Sequence, residues 1–61
     1  MNKIKYIRQR LGLSQQAFGD KLGLDRSYIC LLENDKRAIG RNVIQKIKDF
    51  MPEIDTNIFF L

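Results

Sequence analysis

The sequence predicts an all-α fold, a compact bundle of five short helices in one domain spanning residues 1–61. Three observations carry this. Apolar residues recur at three- and four-residue intervals, and no useful length of chain alternates with the period of two that a strand needs. Glycines and good N-cap residues punctuate the apolar stretches at short intervals. The composition, 44% hydrophobic with one proline, four glycines and a net charge of +4, fits a folded helical domain and not a disordered one.

The first helix is expected from Lys3 to Leu11, with Ile4, Ile7 and Leu11 as its inward stripe. Gly12 suits the left-handed position that ends a helix. Ser14 is an N-cap for the second helix, Gln15 to Leu22, in which Phe18 and Leu22 face inward. Gly19 in mid-helix costs about 1 kcal/mol relative to alanine, which calls for close approach of another helix. Gly23 ends that helix, and Asp25 offers an N-cap for the third, Arg26 to Glu33. "ENDKR" at 33–37 reads as a turn, and a basic loop continues to Gly40. The fourth helix is expected from Arg41 to Met51, with Val43, Ile44, Ile47 and Phe50 inward. Pro52 stops it, because proline disfavours helix in the residue before it. Asp55 can cap a last apolar turn, Thr56 to Leu61, for which a strand is the alternative.

Composition also narrows function. The chain has no histidine and one cysteine. It shows no paired carboxylates in a pocket, no phosphate-cradling glycine loop and no metal-ligand cluster, so no enzyme, cofactor, metal site or small-molecule substrate is expected. A lone Cys30 fits a reducing, cytoplasmic setting and provides no disulfide switch within the chain. No apolar run reaches the roughly 20 residues that cross a bilayer. All eleven Lys and Arg lie between Lys3 and Lys48, whereas the stretch from Asp49 to Leu61 holds three acids and no base. A basic body with an acidic, apolar tail points to a polyanionic partner at one end.

The segment Gln15 to Leu32 has a recurring spacing: apolar Phe18, small Gly19, apolar Leu22, turn Gly23, then Leu24, Ile29 and Leu32. The apolar residues would fill the wedge between two helices crossing steeply, and Gly23 supplies the short turn between them. With Ile29 and Leu32 inward, Ser27, Cys30 and Leu31 point away from the core and Arg26 lies on the flank. An outward face of that kind is what a groove-reading helix presents.

"LGLSQQAFGDKLGLDRSYICLLENDKR" resembles the helix-turn-helix family of phage Cro proteins, phage repressors and Xre-type regulators. The strongest parts are "LSQQ", the Gly23 turn, "SYI" and "LEN", and "PEID" with the apolar tail is similar to the fifth helix that often closes the domain. The resemblance implies a lambda-repressor-like five-helix bundle. Its function would be that of a Cro-like phage or prophage repressor, or a small controller protein, binding a two-fold double-stranded DNA operator as a homodimer that is weak without DNA. Matched residue by residue, it makes Arg26, Ser27 and Leu31 base readers. By the same resemblance Gln15 and Gln16 contact the backbone or an edge base, and an arginine matching Arg41 approaches the minor groove in some relatives. Asn34 and at least one of Lys36, Arg37 and Arg41 around the loop after the third helix are expected to contact phosphate. Tyr28, its ring packed at the helix edge with the hydroxyl near phosphate, and the outward Cys30 complete the expected DNA-binding set. Arg8 pairs with Glu33, tying the first helix to the third. Ile58, Phe59, Phe60 and Leu61 are candidates for the dimer contact, or alternatively seal the bundle. Three departures from the family pattern stand out: Gly19 where alanine is common, Asp35 where glycine is common, and no tryptophan near Ile58 or Phe59, where the family usually has one. The competing reading is an antitoxin or protein-interaction adaptor on the same fold, using the apolar tail.

Overall fold

The computed structural model describes residues 2–60, with side-chain environments through residue 59. Four α-helices follow one another: α1 (Lys3–Leu11), α2 (Gln15–Leu22), α3 (Arg26–Glu33) and α4 (Arg41–Phe50). The expected fifth helix is a single 3-10 turn, Thr56–Phe60, so the bundle has four α-helices and neither a fifth nor a C-terminal strand among the described residues. Five residues, set off from the proline turn at Pro52 and Glu53 by Ile54 and Asp55, are too few to propagate an α-helix. No helix among the described residues is long and apolar enough to cross a membrane.

Each helix ends where local chemistry ends it. At the C-terminus of α1, Gly12 takes φ 70°, its N–H donates to the Gln9 carbonyl at 3.0 Å, and the Leu13 N–H donates to Arg8 at 3.2 Å. Gly23 ends α2 with φ 71° and the equivalent pair of bonds, from its own N–H to Asp20 and from Leu24 to Gly19. These are Schellman closures, in which a left-handed residue lets two trailing N–H groups satisfy carbonyls of the last turn. The α3 terminus closes in the same way, but an aspartate holds the left-handed position: Asp35 has φ 59°. At the other ends, Asn2 Oδ1 accepts from the Ile4 and Lys5 N–H groups, and Ser14 Oγ accepts from Ala17. Asp25 occupies the N-cap position of α3 without using its side chain as a cap, contrary to expectation.

The core takes two residues from each helix, three or four apart: Ile4 and Ile7, Phe18 and Leu22, Ile29 and Leu32, Val43 and Ile47. Burying each contributes about 1.5–3 kcal/mol, and in a chain this short that layer supplies most of the favourable free energy. Two expected members are missing. Leu11 is 37% exposed, because seven residues after Ile4 it stands about 10 Å farther along the axis, at a groove lined also by Tyr6, Met51, Ile54 and Ile58. Ile44 is only half-buried, since the α4 stripe runs through Val43 and Ile47 and leaves it on the flank.

α2 and α3 pack most extensively on each other. The close approach at Gly19 is made mainly by the turn and not by a helix. A Cβ built on Gly19 would lie 2.5 Å from the Leu24 carbonyl oxygen and 3.4 Å from Ile29 Cγ1. The Leu24 N–H bond to the Gly19 carbonyl, 2.8 Å, pulls the turn down onto the glycine.

One charged group is buried with the core. Glu33 is 7% exposed and accepts from Arg8 Nε at 2.6 Å, Arg8 Nη2 at 3.1 Å and Gln15 Nε2 at 3.3 Å. The remaining terminal nitrogen of Arg8 donates to the Leu13 carbonyl at 2.9 Å. The network joins α1, the α1–α2 linker, α2 and α3 through one carboxylate. The hydrogen bond to Glu33 is the largest influence on Arg8 and raises its pKa; desolvation opposes this and the Glu33 charge adds to it. A raised arginine pKa means a stabilising contribution that is fully present below the ordinary arginine range and is lost only above it.

Two outcomes follow from this packing. Gly19→Ala should destabilise the domain by a net ~1 kcal/mol, because displacing the Leu24 backbone outweighs the better helix propensity; a rise in thermal midpoint would contradict it. Glu33→Ala should cost up to about 3–5 kcal/mol in a urea melt, the full-burial limit, since it removes the carboxylate partner of the part-buried Arg8 guanidinium.

Candidate nucleic-acid interface

The spacing that buries Ile29, Leu32 and Glu33 also decides what α3 shows to solvent. Arg26 and Ser27 are exposed, and Leu31 is 38% exposed. Cys30 is half-buried on the same side. Tyr28 is half-buried and its ring packs against the core, at the edge of the helix. Arginine can donate two hydrogen bonds to guanine, serine is a versatile donor and acceptor, and leucine can cover a thymine methyl. An exposed leucine between polar neighbours fits that chemistry better than it fits water.

Around this face stand the other candidates. Lys36, Arg37 and Arg41 are exposed on the loop after α3 and the first residue of α4. Among the described residues, neither they nor Arg26 pair with a carboxylate. Cations held without internal partners are available to phosphate oxygens, with release of condensed counterions. The start of α2 is nearby in sequence and tied to α3 through Glu33.

The structure divides the amide side chains between positioning and contact. Gln15 is half-buried, and its NH2 group is spent on Glu33. Gln16 is exposed and bonds Asp20 one turn on, at 3.0 Å. Asn34 turns back on its own helix, donating to the Cys30 carbonyl at 2.8 Å and to Cys30 Sγ at 3.2 Å. Its NH2 group therefore satisfies the end of α3 in the free protein.

At the far end of the chain, Ile58 and Phe59 are half-buried against the core. They seal the bundle beside α4, with part of each side chain still open. Leu61 and the side chain of Phe60 lie outside the described residues. Arg8 and Glu33 form the ion pair described above. No group of three or more potential metal ligands occurs among the described residues.

One residue at this interface carries no weight in the sequence reading. Asn2 caps α1 and also reaches the end of α3, donating to the Leu32 carbonyl at 2.9 Å and Asp35 Oδ1 at 2.8 Å. Its signal is local: an asparagine just before an apolar-periodic run is among the best N-caps. Its second set of partners, more than thirty positions away, has no such signal.

Comparison with known proteins agrees with this geometry. The family model described as Helix-turn-helix matches residues 4–56, from the core of α1 to the start of the 3-10 turn. The chain is similar to the control protein C.MunI of a Mycoplasma species, 38% identical over 47 residues, which is 75% of this chain and 64% of that protein. It thus spans under two thirds of that relative's length. No solved structure matches. A match reaching across the α2–turn–α3 unit and the core beneath it shows that the chain belongs to the helix-turn-helix family.

Proposed function

We propose that this protein is a sequence-specific transcriptional regulator that lays α3 in the major groove of a two-fold operator and acts as a homodimer. The observation that carries the reading is the outward face of α3: Arg26, Ser27 and Leu31 stand clear of the core, bordered by exposed Lys36, Arg37 and Arg41. In this reading Arg26 pairs with guanine O6 and N7, Leu31 covers a thymine methyl, and Ser27 accepts or donates at a base edge or phosphate. Gln15, Gln16, Asn34 and the loop cations hold the backbone, and Arg41 approaches the minor groove. Similarity to a control protein favours a small controller-type regulator over a phage repressor.

The partly open Ile58 and Phe59 support a modest apolar contact between two copies, with the two α3 helices about one helical turn of DNA apart. An adaptor using the tail alone would leave the cationic border of α3 without a use.

Selection from a random duplex pool tests the reading. It should return a pseudo-palindrome with half-sites about 10 base pairs apart, bound with an affinity that falls steeply as salt rises. Arg26→Ala should relax preference at one base pair per half-site and cost about 1–3 kcal/mol. An equal loss on all sequences would make Arg26 a phosphate anchor. No enrichment of duplex in dilute buffer would remove the proposal.

A further inference from the structure

The basic loop between α3 and α4 is held at two points. At its far end Ile39 is half-buried against the core. At its near end stands the left-handed turn at Asp35, and Asn2 grips that turn. The Asn2 side chain is fully used: its oxygen accepts from the Ile4 and Lys5 N–H groups at 2.8 and 3.1 Å, and its NH2 group donates to the Leu32 carbonyl and to Asp35 Oδ1. Between the two anchors Lys36 and Arg37 are exposed.

Asp35 is the one non-glycine residue with positive φ among the described residues. The other two Schellman closures use glycine, which occupies that conformation without strain. At the third closure an aspartate accepts the strain and supplies an acceptor that glycine lacks. A residue placed there for the turn alone would be glycine. The side chain is explained by what it bonds, the NH2 group of Asn2.

We propose that Asn2 and Asp35 are positioning residues for DNA binding: the amide–carboxylate contact locks the turn after α3 and so presets where Lys36 and Arg37 meet the phosphate backbone. This rests on the DNA-binding reading above. A loop ordered before association loses less entropy on binding, so its cations contribute more to affinity.

The experiment compares Asp35→Asn with Asp35→Gly. Both remove the same charge, and both tolerate the left-handed turn, but only asparagine keeps an oxygen acceptor for Asn2. Binding to a mixed-sequence duplex of about 20 base pairs is measured over a salt series, beside thermal melts and amide exchange of the free proteins. Asp35→Asn should bind about threefold or more tighter than Asp35→Gly, with a salt slope steeper by up to about one phosphate. Asp35→Gly should nevertheless melt no lower than Asp35→Asn. In an Asn2→Ser background, which keeps the helix cap and removes the amide, the two should bind alike. A purely structural role predicts that the glycine variant equals or exceeds the asparagine variant in every measurement, and that result overturns the proposal. So does a difference between them that survives Asn2→Ser. Amide exchange separates the two levels of inference. If the wild-type protein binds no duplex, the functional reading fails and the positioning role for DNA falls with it. Exchange at Asp35 and Lys36, whose N–H groups close the turn, that is unchanged by Asn2→Ser overturns the lock itself, whatever the duplex result.

Discussion

The Glu33 carboxylate is the point on which the geometry of this domain turns. It sits at the last residue of α3, beneath the face that meets solvent, and takes donors from α1 and α2. Arg8 meets it with two nitrogens in the fork geometry that guanidinium and carboxylate share, which fixes angle as well as distance. The remaining terminal nitrogen of Arg8 is tied to the linker carbonyl at Leu13, so the arginine cannot swing without breaking a second contact. A buried ion pair of this kind is weak evidence for stability, because desolvating both charges offsets most of their attraction. Its effect is directional. An apolar core of eight side chains allows small rotations of one helix over another at low cost, whereas a three-donor carboxylate allows few. The orientation of α3 relative to α1 and α2 is thus set by polar contacts, and the energy of the fold by apolar ones.

That division explains what was legible in the sequence. The bounds of α1 and α2 follow from Gly12, Ser14 and Gly23, because caps and left-handed glycines act locally and do not depend on the rest of the fold, whereas α3 starts at the expected place although Asp25 makes no side-chain cap bond. The buried pairs on each helix follow from period alone. The errors share a cause, which is that periodicity describes a helix as though its partner were infinitely long. Leu11 has the right angle for burial but lies beyond the layer where the helices meet, and Ile44 lies on the flank of a stripe that two residues already fill. For the last turn, apolar content alone does not choose between helix and strand; its shortness yields a 3-10 turn.

The site was legible in a similar, partial way. Once Ile29 and Leu32 are assigned to the core, the outward set on α3 is determined by the helical angle, and the exposure of Ser27 and Leu31 agrees with it. The partners of the amide side chains were not legible. Gln15, Asn34 and Asn2 each have a donor group and an acceptor, and the sequence does not say which is spent inside the protein. In the folded chain all three give their NH2 groups to the protein: Gln15 to Glu33, Asn34 to Cys30, and Asn2 to the end of α3. Long-range polar contacts of this kind have no periodicity and no punctuation, so only the fold reveals them.

The three donors also lie around the same helix. Gln15 meets α3 at its last residue, Asn34 donates to the Cys30 carbonyl one turn back, and Asn2 holds the turn that follows. The terminal carbonyls of an α-helix lack internal partners and carry the negative end of its dipole. At this end the trailing N–H groups of Asp35 and Lys36 bond the Leu32 and Leu31 carbonyls, and the amides of Asn2 and Asn34 add second donors to the Leu32 and Cys30 carbonyls. An asparagine at the start of α1, remote in sequence from α3, thereby helps to fix how α3 ends.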